Sequence, residues 1–190
     1  MRWPDAGLRA RAAELRAEWR AEEEEWTRAA FERFEHGRTL TDVLRAAMHR
    51  GDEVLLGLGA DALRGVLTHV GDDWCALDTP AGACDVPVAH GAPVVCVVER
   101  ARRGGVAGDP DAPASWRARL LAHEVAGHDC AVGLAGAHVV TGALRVGADH
   151  VVVGHGAYPG AETYVPCTAV LWVRVAGRRP AGASGASGTI

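Results

Sequence analysis

The chain repeats itself. Leu44, Gly51, Gly57-Leu58 and Val70-Gly71 recur as Leu120, Gly127, Gly133-Leu134 and Val146-Gly147, each 76 positions later. Between these anchors, Gly65 to Leu77 (GVLTHVGDDWCAL) aligns with Gly142 to Val153 (GALRVGADHVVV) with one deletion, and Val86-Pro87 aligns with Val165-Pro166 after a three-residue insertion. A period of this size is one supersecondary unit built twice, so any fold assigned to the first copy must also suit the second.

The unit itself reads as a helix followed by short strands. Thr39 with Asp42 three residues on resembles a capping box, and Leu40, Val43, Leu44, Ala47 and Met48 make a short helix that stops at Gly51. The periodicity then changes to β-prone runs at Glu53 to Leu58, Ala62 to Val70, Trp74 to Thr79, Ala83 to Val88 and Val94 to Glu99, separated by Gly-, Pro- and Asp-rich turns. Asp72-Asp73 sits in one such turn, and Gly65, Gly71, Gly142 and Gly147 fit strand bends and turns. Five short strands after a helix suggest a small barrel. Gly-, Pro- and Arg-rich residues 100 to 114 read as a linker, and Ser115 caps the second short helix, Trp116 to Ala126. The expected organisation is therefore an N-terminal helix (1 to 38), a first barrel (39 to 99), the linker, a second barrel (115 to 176) and a disordered Gly/Ala/Ser-rich tail (177 to 190).

Ahead of the repeats, Leu8, Ala12, Leu15, Trp19, Trp26, Ala30 and Phe34 recur at spacings of three, four and seven among charged residues. This predicts an amphipathic helix ending near Gly37, about 30 residues and roughly 45 Å long. It lies across its own domain or pairs with a second copy or another protein. Leu15, Trp19, Trp26 and Phe34 are the protein-interaction candidates, because tryptophans on one stripe are costly to leave in water.

Composition narrows the partners. All 20 basic residues are Arg, and residues 51 to 100 carry two of them against eight acids. Nucleic acid wants clustered cations on the reading surface. The tight clusters are Arg100, Arg102 and Arg103, with Arg178-Arg179, so the former three are the weak nucleic-acid candidates. No apolar run is long enough to span a membrane, and the charged N-terminus is unlike a signal peptide, so a cytoplasmic protein with no membrane partner is expected. The five cysteines are odd in number and form no CxxC pair, so reduced, buried thiols are expected.

No catalytic constellation can be placed. His123-Glu124-Val-Ala-Gly-His128 invites a zinc-protease reading, but its two histidines are five apart, not four, and stand about 140° apart on a regular helix. The pair is read instead as a helix-end His and Glu facing water. Cys75 and Cys84 could face one another across a hairpin near His69, and are read as core. No enzyme activity, cofactor or metal is expected.

The run Gly59, Leu63, Gly65, Leu67, Val70, Gly71, Asp73, Trp74 and Leu77, after a short helix, resembles the first motif of the Sm-like (LSm) fold, over residues 39 to 99 and 115 to 176. The chain is also similar to a group of actinobacterial proteins, without an assigned activity, that have a Glu/Arg/Trp-rich N-terminal helix and a VGxDW signature, here Val70 to Trp74. The resemblance implies a mainly β protein with two Sm-like/SH3-like small β-barrels, each preceded by a short helix. Sm-like proteins commonly bind single-stranded RNA on rings, using an Asn or Asp after the third strand and a basic residue in the second motif. Here Trp74-Cys75-Ala76 follows Asp73 without an Asn, and the region around Val86-Pro87 and Val94 to Val97 has no Arg.

These readings combine into an expectation: a non-catalytic binding or scaffold protein, homo-oligomeric or bound to a protein partner, with an Sm-like RNA- or DNA-binding regulator as the alternative.

Overall fold

The computed structural model describes residues 6–88, 93–101, 104–155 and 160–178. The chain divides into two compact units, Met1–Thr39 and Leu40–Ile190.

The first unit is a single helix, α1 (Ala6–Gly37). Ala, Arg, Glu and Leu, all strong helix formers, occupy 24 of its 32 positions, so local propensity suffices to make it.

The second unit is mainly β with two short helices. In order along the chain these are α2 (Leu40–Arg50), β1 (Glu53–Leu58), β2 (Asp61–Val70), β3 (Trp74–Thr79), β4 (Gly82–Pro87) and β5 (Val94–Glu99). They are followed by α3 (Trp116–Val125), β6 (His128–Leu134), β7 (His138–Val146), β8 (His150–Gly154), β9 (Glu162–Pro166) and β10 (Trp172–Arg178). The order of elements therefore repeats as the 76-residue offset requires. Both helices stop where a glycine takes a left-handed conformation, Gly51 (φ 74°) and Gly127 (φ 65°). The side chain of Ser115 accepts from the Ala118 N–H and caps α3 as expected.

All ten strands form one unclosed antiparallel sheet in the order β5-β1-β2-β3-β4-β10-β6-β7-β8-β9. Each repeat thus lays its strands as fifth, first, second, third, fourth, and the two sets meet where β4 pairs β10. The one deletion between the repeats has a structural meaning. Against β3, the β2 register slips between Leu67 and His69, leaving Thr68 as a bulge residue, whereas β7 runs against β8 from Ala143 to Val146 without a slip. The turns after β2 and β7 are equivalent as well. Gly71 N–H donates to Trp74 O and Gly147 N–H to His150 O, and the Val88 and Cys167 N–H groups donate to Asp73 O and Asp149 O.

Two apolar clusters lie against the sheet, and each borrows from the other repeat. Leu44, Ala47 and Met48 of α2 pack with Val54, Leu56, Leu67, Leu77 and Val86, and Leu171 and Trp172 of the second repeat pack against them. Trp116 and Leu120 of α3 pack with Val132, Leu144, Val151, Val153 and Val165, and that cluster includes Trp74 and Ala76 of the first repeat. The residues joining the repeats are held to the first one. Gly105 N–H donates to His49 O, the Trp74 indole N–H donates to Pro113 O at 2.9 Å, and Asp72 N–H donates to Ala114 O. Residues from 179 on, where most of the expected disordered tail falls, lie outside the described residues, while Gly177 and Arg178 belong to β10.

Candidate interaction surfaces

Beyond its two paired positions, Val173 opposite Asp85 and Arg174 opposite Cys84, the joint between the repeats is secured by polar contacts that also tie α3 of the second repeat to strands of the first. Asp85 is buried on β4, where an unpaired carboxylate would be strongly disfavoured. It accepts from Arg119 Nε at 2.7 Å and Nη2 at 3.3 Å, and its Oδ2 lies 2.6 Å from His123 Nε2. The Arg119 guanidinium also covers the Trp74 ring, 5.1 Å from its centroid. One turn away, Asp73 Oδ1 accepts from the Trp116 backbone N–H at 2.5 Å, so an acid of the first repeat meets the positive end of the second repeat's helix.

The structure corrects the reading of His123 and Glu124 as water-facing. His123 is buried, and its Nδ1 lies 3.1 Å from Nδ1 of His128, while Glu124 accepts from the Val146 N–H at 2.9 Å. The two imidazoles would point apart only if one helix ran through both. Instead the helix ends before Gly127, whose left-handed turn swings His128 onto β6 and back toward His123. Among the described residues no group of three or more His, Cys, Asp or Glu is placed to hold a metal ion.

The cysteines divide by burial. Cys75, Cys84 and Cys130 are buried, and burial pushes their thiols up, those of Cys84 and Cys130 to about 11. Cys75 stands opposite Val86 and Cys84 opposite Leu77, so the two are diagonal and not face to face. Cys96 is exposed on β5 and Cys167 is half-buried, contrary to the expectation of five buried thiols; Cys96 alternates with Val95 and Val97, the residues of that strand that pack against the first core.

Among the described residues the sheet ends in two strands with one neighbour each. β5 pairs only β1 and turns Val95 and Val97 toward the first core, while Val94, Cys96 and Val98 are exposed, Val94 at 75%. β9 pairs only β8 and exposes Tyr164 at 64%, with its hydroxyl donating to Glu162 at 2.8 Å. Glu162 is also engaged by Arg145. An edge that carries valines without a charge or proline among them is open to further strand pairing.

On α1 the interaction candidates Leu15, Trp19, Trp26 and Phe34 are all exposed, the two tryptophans at 73% and 72%. The stripe is narrower than the sequence spacing suggested, because Phe34 lies about 80° around a regular helix from Trp26, and Glu22 and Glu23 interrupt the middle. Phe31, which falls outside that spacing, is equally exposed. Of the nucleic-acid candidates, Arg100 is exposed, and its charge helps hold the neighbouring Asp52 carboxylate low. Burial alone would raise Asp52, but the Arg50 side chain and the Ala101 N–H outweigh it. Arg102 and Arg103 lie outside the described residues. No helix among the described residues is long and apolar enough to cross a membrane.

The chain matches no protein-family profile, no curated protein and no solved structure.

Proposed function

We propose that this chain is a non-catalytic scaffold of two Sm-like small barrels that joins further copies of itself edge to edge. One observation carries this reading: within the chain, the fourth strand of one repeat already pairs the fifth strand of the other, and among the described residues nothing pairs the outer edge of the first repeat's fifth strand or of the second repeat's fourth. The duplication makes β5 the counterpart of β10, and β9 the counterpart of β4. Carrying the internal register over, Val95 of one copy falls opposite Tyr164 of the next, and Cys96 opposite Thr163, as Val173 stands opposite Asp85 and Arg174 opposite Cys84. Such a contact is head to tail, so it closes into a ring if the rotation permits and otherwise extends. The resemblance of both repeats to Sm-like barrels, which assemble in rings, supports the same reading.

Light scattering on a sizing column tests it with nuclease-treated full-length protein. Val94→Glu with Val98→Glu places charge on an exposed edge without touching the core, and should lower the assembly mass while leaving the circular dichroism unchanged. A native chain that elutes as a monomer, or a mass unmoved by these substitutions, would overturn the reading. Co-eluting nucleic acid that leaves as salt rises, with no protein oligomer, would favour the nucleic-acid-binding alternative instead.

A further inference from the structure

Edge pairing leaves α1 unused, with Leu15, Trp19 and Trp26 exposed along one face. We infer that α1 pairs with α1 of a second copy, antiparallel, through this face.

Charge sets the partner and its direction. The first half of the helix, residues 6 to 21, carries Arg9, Arg11, Arg16 and Arg20 against two glutamates, whereas residues 22 to 36 carry six glutamates against Arg28 and Arg33. A parallel, in-register pair would set Glu22 to Glu25 against the same run. An antiparallel pair sets the basic half of each helix against the acidic half of the other. Within α1 Arg11 pairs with Glu14, but among the described residues no ion pair engages Glu22 to Glu25. Arg16, Arg20 and Arg33 turn their Nε to backbone carbonyls one turn back.

Side-chain size gives the register. When Trp19 crosses its own counterpart, Trp26 of each helix falls beside Ala12 of the other, so large meets small at two symmetric places. The same register brings Arg16 beside Glu22 and Glu23 of the other copy. Two indoles per chain then leave water, which an isolated helix cannot arrange.

The inference is independent of edge pairing, and the experiment separates them by working in the full chain carrying the Val94→Glu and Val98→Glu edge block. Light scattering should then find a dimer, and Trp19→Glu with Trp26→Glu should convert it to a monomer. Arg16→Glu should weaken the dimer about tenfold, and adding Glu22→Arg and Glu23→Arg to that chain should restore it, because the reversed charges meet again only in the antiparallel pair. An edge-blocked chain that is already monomeric, or a dimer indifferent to the tryptophan substitutions, overturns α1 pairing and leaves the edge reading standing. A dimer that needs the tryptophans but ignores Arg16→Glu overturns the antiparallel arrangement. An edge-blocked chain as large as the native one counts against edge pairing alone.

Discussion

The carboxylate of Asp85 on β4 lies 2.6 Å from Nε2 of His123 on α3, and this contact spans the two repeats across 38 residues of sequence. With the half-buried Arg119 on the same carboxylate, two buried side chains and one partly exposed guanidinium are tied together at the joint. Removing the acid strands a guanidinium and a buried imidazole. Asp85→Ala should therefore cost about 3–5 kcal/mol in urea unfolding, and Asp85→Asn less, because an amide oxygen still accepts from one of them. A loss for Asp85→Ala no larger than that of an ordinary surface substitution would show that the joint does not depend on this network.

Gly65 and Gly142 occupy matching places in β2 and β7, and a Cβ on either would collide with a backbone carbonyl of the adjacent strand, Asp78 O and Gly154 O respectively. Alanine at either position should cost about 2–3 kcal/mol, because strands and not flexible side chains must move. Gly59 provides the contrast. Its φ of 73° is left-handed but open space surrounds it, so Gly59→Ala should cost only about 1 kcal/mol. Thermal unfolding of the three variants checks the ordering.

His69 packs against Trp74 with ring centroids 5.0 Å apart, and neither ring nitrogen has a partner among the described residues. Burial lowers its affinity for a proton, and this outweighs the pull of Asp109 and Asp85, while Arg119 and Arg45 add to the lowering. The folded state thus binds this proton less readily than the unfolded chain. Its contribution is intact above the ordinary histidine pKa of about 6.5, and stability is lost as pH falls from there toward the folded value. His69→Phe should flatten that acid-side decline relative to the native chain in unfolding measured between pH 7 and pH 5. An unchanged difference across that range would exclude His69 as its source.

Thiol labelling should sort the cysteines by environment. In dilute native protein Cys96 should react first, whereas Cys75, Cys84 and Cys130 should remain unmodified until denaturant is added, since each is buried and its thiolate is disfavoured. Peptide mapping after a short exposure to a maleimide identifies the modified positions, and early labelling of Cys84 would show that the β4–β10 joint opens in the native state.

Much of the local architecture is legible in the amino-acid sequence. The strands at Glu53–Leu58, Trp74–Thr79 and Val94–Glu99 begin and end where the apolar runs do, and α2 and α3 stop at the glycines that the 76-residue offset aligns. The joint is not legible there. Asp85 reads as one more acid in a strand, and His123 as the exposed end of a helix. The only sign is a charged residue standing alone within the otherwise uncharged run Ala83 to Val88, with Arg and His four apart at Arg119 and His123.

What this sequence determined by itself is therefore the duplication and whatever depends on neighbours within a few residues: the helix stops and the strand runs. Tertiary structure alone decided that Trp74 would leave its own repeat for the other's core, that Trp172 would pack in the opposite direction, and that His123 would be buried on Asp85. Periodicity reports which face of an element is apolar, but not which surface that face will meet. Here two units with the same order of elements each offered an apolar core and a free edge, and only the packing of both repeats together chose among them.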